Sequence, residues 1–261
     1  MLIRRQWLLG MGGAVASHGV GAGPKPAPTM VVRTAAQEGI ALKFNLGGAG
    51  LQGFCVELVQ ALEAQDPGLR FPGLRRKLPL KRVLLELAGG QIDVFFSLID
   101  SAERRRHVDF LDAPVLYEAR HQLAARIDDP ARPKDYAALR ALGRDAVILV
   151  THGTVYEEML RQQGGLNVQS TALSNRQNLE MLQRGRGRFF CHAGSTLQAE
   201  IKAAGLEQRL QVLPVVLQVQ QQRVAFAPDL DPAVRARVVQ ALQAVERKGT
   251  LDQLRQRYGV A

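Results

Sequence analysis

The stretch of this chain that most restricts its fold runs from Gly90 to Tyr117. Gly89 and Gly90 interrupt the chain just before a short apolar run at 92–98, which reads as a buried strand. The run ends in Asp100-Ser101-Ala102-Glu103, where an Asx or Ser cap followed by Glu103 predicts the start of a helix. Arg104 then falls at a strand-to-helix corner, beside backbone N–H groups without intrahelical partners and at the positive end of a helix dipole. Such a corner suits an anion, and ligands of open α/β sheets collect at the carboxyl ends of strands. The plainer alternative is a solvated helix face carrying Arg104, Arg105 and Arg106, but the order strand, cap, arginine favours the corner.

The alternation continues along the chain. A strand is predicted over 30–36, then helices over 53–62 and 80–87, the strand at 92–98 and another strand over 117–126. Beyond the break at Asp128-Asp129-Pro130 comes a short helix over 135–142. The nearly unbroken apolar run at 146–150 has the character of a buried parallel strand and delivers His152-Gly153-Thr154 onto a helix over 155–162. Ser174 and Gln177 form a capping box for a helix over 178–183. A buried strand over 189–192 leads to Gly194-Ser195-Thr196, the cap of a helix ending at Gly205. Asp231-Pro232 is a cap with proline at the first helical position, and Thr250 caps a last helix through Tyr258. Strands alternating with helices argue for parallel α/β sheets.

The first 37 residues contain no Asp or Glu. A basic start (Arg4, Arg5), an apolar stretch from Trp7 to Ala16 and small residues at 20–22 describe a cleaved export signal, twin-arginine-like, over 1–22. The apolar stretch is too short to span a membrane. Residues 23–29 follow as a flexible leader. The net charge of +10 invites comparison with nucleic-acid binders. The basic residues are scattered, however, without interleaved stacking aromatics or a recognition motif, which argues against a nucleic-acid partner. The two cysteines, Cys55 and Cys191, could pair in an oxidising compartment, but their separation into different parts of the fold favours two buried free thiols. His107, His121, His152 and His192 show no metal-ligand spacing.

Four landmarks occur in order: Gly53-Phe54 with Glu57-Leu58, the Gly90–Asp93–Ser97–Arg104–Phe110–Pro114 series, the Gly153-Thr154 turn, and Gly249-Thr250-Leu251 with Leu254 and Tyr258. Together they resemble the periplasmic solute-binding proteins of amino-acid ABC importers (family 3), over nearly all of the mature chain. The resemblance implies an α/β, two-lobed periplasmic-binding-protein-like fold (type II) with a ligand cleft between the lobes. Lobe 1 would comprise 30–124 plus 220–261, and lobe 2 would comprise 125–219. It also implies a periplasmic, monomeric, non-enzymatic protein without cofactor or metal. Such a protein captures a small anionic or zwitterionic solute by hinge closure and delivers it to an inner-membrane ABC permease.

In such proteins an arginine at the place of Arg104 grips the ligand carboxylate. A planar guanidinium does this with two parallel charge-assisted hydrogen bonds, which a lysine cannot reproduce. Ser97 matches a supporting hydroxyl, with a buried strand serine as the plainer alternative, whereas Ile99 stands where a second hydroxyl is common. Gly153 and Thr154 match the lobe 2 turn that offers backbone N–H groups to the same carboxylate, with plain helix capping as the alternative, and Ser195 is a further candidate. Two departures matter. The place after the lobe 2 strand that usually carries an acid for a ligand ammonium reads His192-Ala193-Gly194. The first loop, 37–44, lacks the usual proline-and-aromatic clamp and offers Lys43 to a second anionic group. Two other readings remain: a degenerate member acting as a sensor or interaction protein, and a dehydratase acting on cyclic carboxylates with Glu57 or Glu118 as its acid.

Overall fold

The structure is a computed structural model that describes residues 29–45 and 52–260. The expected export signal and most of the leader lie outside the described residues. The single strand expected over 30–36 is two short ones, β1 (Met30–Val31) and β2 (Ala36–Gln37). The chain bends between them at Thr34, whose carbonyl approaches Gly73 so closely that a Cβ there would lie 1.9 Å away. Helix α1 (Phe54–Gln65) buries its apolar stripe, and β3 (Leu69–Arg70) and β4 (Lys77–Leu78) pair in parallel with β1 and β2. Helix α2 (Leu80–Ala88) precedes β5 (Val94–Ile99), all six of whose residues are buried.

The helix expected after Asp100 does not form. Residues Arg104–Arg106 make one 3₁₀ turn, and Ser101 Oγ accepts a single bond from the Arg104 N–H at 3.3 Å. The local cap signal loses to a long-range one: three residues later β6 (Asp109–Phe110) pairs with the distant strand β12 (Gln218–Phe226), which leaves no room for further helical turns.

Strand β7 (Tyr117–Arg126) leads to α3 (Tyr136–Ala141), β8 (Ile148–Thr151), α4 (Val155–Gln162), β9 (Val168–Ala172) and α5 (Asn175–Gln183). The Ser174–Gln177 capping box is present, and its helix starts at Asn175, three residues earlier than expected. Next come β10 (Phe189–Ala193), α6 (Gly194–Ala203), β11 (Leu210–Val212) and β12, then α7 (Pro232–Arg247) and α8 (Thr250–Arg257). Asp231 caps α7 by accepting from the Ala233 N–H at 2.7 Å, with Pro232 at the first position.

One mixed eight-stranded sheet joins both lobes in the order β5-β12-β7-β10-β8-β9, with β6 and β11 attached to β12 and β7. The expectation of parallel sheets holds for β8, β9 and β10, but β7 and β12 are antiparallel to their neighbours. These two long strands carry the chain between the lobes without a crossover helix, so counting alternating elements does not reveal their direction. Their register is instructive. Tyr117 to His121 pairs with β12, and His121 to Ala125 pairs with β10.

The largest core packs Phe54, Phe95, Phe96 and Phe226 with α1, α7 and α8. Burying each such ring contributes roughly 1.5–3 kcal/mol. In lobe 2 successive strand residues divide between two faces, as the strand period of two requires. Ile148, Val150, Phe189 and Cys191 meet Leu139, Met159 and Leu160 on one side. Leu149 and Phe190 meet Leu179, Leu182, Leu197 and Ile201 on the other. Cys55 and Cys191 are free and buried in different cores.

Candidate ligand-binding cleft

The lobes face each other across a cavity of about 530 Å³, within the usual range for small-molecule sites. Lobe 1 and the hinge strands contribute Lys43, Ser97, Arg104, Tyr117 and Gln222, and lobe 2 contributes the 151–156 turn, His192 and Thr196. Five of the six residues singled out from the sequence, Arg104, Ser97, Lys43, Gly153 and Thr154, thus line one space. Ser195 is outside it: it sits in the first turn of α6, and its neighbour Thr196 faces the cavity instead.

Arg104 is buried, and burial pulls its guanidinium below the ordinary value. One N–H donates to the Ile99 carbonyl at 2.9 Å. It makes no ion pair among the described residues. Arg105, by contrast, grips Asp100 through two bonds of 2.7 and 2.6 Å and leans over the Phe110 ring. The 3₁₀ turn therefore separates one buried free cation from its neutralised neighbour.

Lys43 is buried too. Its ammonium donates to the Ser97 carbonyl at 2.7 Å and to Gln222 Oε1 at 3.2 Å. Burial, reinforced by Arg104, lowers its pKa to about 8. Ser97 holds a left-handed backbone (φ 67°) inside a strand, unusual for a residue with a side chain. Its hydroxyl lies 2.8 Å from the Tyr117 hydroxyl and 3.2 Å from Gln222 Oε1. The network binds lobe 1 to both hinge strands.

The lobe 2 turn is less open than the sequence implied. The Gly153 N–H donates to Glu157 Oε2 at 3.0 Å, and the Thr154 N–H and hydroxyl both donate to the Thr151 carbonyl. These groups are satisfied within lobe 2, which weakens the expectation that they hold the ligand. Across the rim, Lys81 Nζ stands 3.1 Å from His152 Nε2, and its stem lies over Gly153.

His192 lines the cavity, stacked at 4.4 Å between ring centroids on Tyr156, which also packs edge-on against His121 at 4.6 Å. Burial holds both imidazoles neutral, at about 3 for His192 and about 4 for His121. Tyr117, Gln222, Tyr156 and His192 were missed as site residues. The first two sit on hinge strands far apart in sequence. His192 carries one sequence signal, an imidazole standing where the resemblance leads one to expect an acid. Neither dehydratase candidate lines the cavity: Glu57 is held by Arg257 and Tyr258, and Glu118 is exposed on β7.

Free cations in a cleft between two α/β lobes define a solute-binding architecture. The chain belongs to the bacterial extracellular solute-binding proteins, family 3, whose pattern it matches over residues 40–261. Solved structures of similar fold include a histidine kinase sensor domain with similarity to periplasmic binding proteins (TM-score 0.73, 21% identity, 90% of this chain and 97% of that one). A mutant of ArgBP from T. maritima aligns at TM-score 0.72 and 19% identity, over 88% and 96% of the two chains. AbpA from Streptococcus pneumoniae, an amino acid ABC transporter substrate-binding protein bound to L-arginine, aligns at 0.71 and 17%, over 87% and 94%. At these identities the likeness is one of fold. No curated protein matches the sequence. No helix among the described residues is long and apolar enough to cross a membrane.

Proposed function

We propose that this protein is exported to the periplasm and captures a small carboxylate-bearing solute between its lobes for an inner-membrane ABC importer. The observation that carries this reading is the pair of buried cations, Arg104 and Lys43, lining one cavity without an acidic partner. A buried charge is costly unless paired, so a site of this kind is completed by an anion. Amino acids and their acidic or deaminated relatives are the solute class, held with Arg104 on a carboxylate and closed over by bending of β7 and β12. Lobe 1 (30–124 plus 220–261) and lobe 2 (125–219) are the moving bodies, and the mature chain begins near Gly23, or near Ser17 if the earlier small-residue site is cleaved.

A thermal-shift panel over amino acids, keto acids, dicarboxylates and cyclic acids tests the reading, because a true ligand raises stability by mass action. The ligand found should also shrink the radius of gyration in small-angle scattering. A protein that no carboxylate stabilises would refute solute capture. The second reading, a sensor or interaction module, draws on the fold shared with the histidine kinase sensor domain. It predicts ligand binding without delivery to a permease, which uptake assays in a deletion strain distinguish.

A further inference from the structure

The charge arrangement inside the cleft restricts the ligand more tightly than the presence of a carboxylate alone. Two cations, Arg104 and Lys43, are fixed in lobe 1. Glu38 is the only acidic residue lining the cavity among the described residues, and it is exposed at the rim. The segments outside the described residues cannot supply an acidic side chain, since 1–28 and 46–51 contain no Asp or Glu. Lys43 has moreover taken the Ser97 carbonyl and Gln222 Oε1, two acceptors beside the cavity that are thereby not open to an incoming ammonium. On the lobe 2 side His192 accepts from the Ala193 N–H at Nδ1, at 2.8 Å. Its neutral ring therefore keeps its proton on Nε2 and presents a donor. A ligand ammonium would meet two cations and an N–H donor, with no buried anion to answer it.

We infer that the cleft takes a small dianion without an ammonium group, a dicarboxylate, with one carboxylate on Arg104 and the other on Lys43 and His192. The inference rests on the reading of the cleft as a carboxylate site and narrows it: the protein's own lysine stands in for the ammonium of an amino acid. Cys55 from α1, Arg104 from the 3₁₀ turn and His192 from β10 are the titratable or charged groups around Lys43. Two of them, Arg104 and the neutral His192, leave the ammonium uncompensated until an anion arrives. Binding should then restore the Lys43 proton in solutions above pH 8.

Calorimetric titration of the mature protein with a matched set of probes tests this. 2-Oxoglutarate and L-glutamate differ only in a keto group against an ammonium, and pentanoate lacks the second carboxylate. Succinate and glutarate vary the spacing. The expected result is that the best dicarboxylate binds at least thirtyfold tighter than L-glutamate and than pentanoate. At pH 8.5 its binding heat should differ between buffers of high and low ionisation enthalpy, as proton uptake requires. Lys43→Met should cut dicarboxylate affinity at least thirtyfold while changing pentanoate affinity less than threefold. The buffer comparison uses wild-type protein and decides the matter if that variant does not fold. L-Glutamate or another amino acid binding as tightly as the best dicarboxylate overturns the inference and leaves the carboxylate reading standing. If no carboxylate binds at all, both fall together.

Discussion

The two walls of the cleft differ in kind. The lobe 1 wall is ionic, built from a buried guanidinium and a buried ammonium, the latter bonded to the carbonyl of Ser97, a residue in a left-handed conformation. The lobe 2 wall presents the uncharged His192 imidazole, Tyr156, and a turn whose Gly153 and Thr154 N–H groups are occupied by Glu157 and Thr151. In the proposed capture cycle, charge concentrated on one wall gives the first step to lobe 1, and lobe 2, contributing shape and hydrogen-bond donors, reads the remainder of the ligand.

The sharpest way to break this contrast is to remove the lobe 1 charge. Arg104→Ala should lower ligand affinity by about 2–5 kcal/mol, roughly thirtyfold or more by calorimetry. An unchanged affinity would place the site elsewhere.

The ligand-free protein should also betray the two walls at opposite ends of the pH scale. Lys43 binds its proton less well folded than unfolded, about 8 against 10.5, so its penalty is full below pH 8. The Lys43 contribution should rise by up to about 3 kcal/mol as pH climbs from 8 towards 10.5, opposed above pH 9 by the buried thiols of Cys55 and Cys191, which burial pushes up to about 12. His192 and His121, at about 3 and 4 against 6.5, act in the other direction, and stability present above pH 6.5 should fall as pH drops towards 4. Glu200, pushed up to about 7 by burial, offsets part of that loss between pH 7 and 4.5, since the folded state prefers its neutral form. Chemical denaturation across pH 4–10 reads both limbs. Lys43→Met should remove the rise that begins at pH 8 and, by taking a cation away from His192, make the acid limb shallower.

Gly153→Ala probes the lobe 2 wall. Gly153 has φ 70°, and a Cβ there would come within 2.5 Å of Lys81 Cε. The left-handed backbone should cost about 1–2 kcal/mol in denaturation experiments, with the ligand preference unchanged because the turn carries no charge. Smallest of all, Arg105→Ala and Arg106→Ala should alter affinity less than threefold. Arg105 is already neutralised by Asp100, and exposed pairs of this kind contribute little.

The parts of this contrast that were legible in the sequence are those written locally. The position of Arg104 followed from strand, glycine break and spacing, and Lys43 from a loop that lacked its expected clamp. The parts that were not legible depend on pairing across long separations. Ser101 and Glu103 spelled a helix cap that the β6–β12 pairing overruled. Gln222 reaches Ser97 across 125 residues, and nothing in its glutamine-rich surroundings marks it as different from Gln220 or Gln221. The donor character of His192 depends on the Ala193 N–H at its Nδ1, a contact that no sequence pattern displays.

Tyr117 and Gln222 face each other across the β7–β12 ladder and also line the cavity. In the capture cycle proposed above, the solute would therefore lie on the pivot itself rather than out along the arms. At a pivot, a shift of a fraction of an ångström turns into a displacement several times larger at the distant rims, where Lys81 meets His152. A molecule closing in the proposed way would work as a mechanical amplifier, converting the size of what sits at its fulcrum into how far its jaws travel. A permease docking on the jaws, as proposed, would thus distinguish a well-fitting solute from a poor one without touching either.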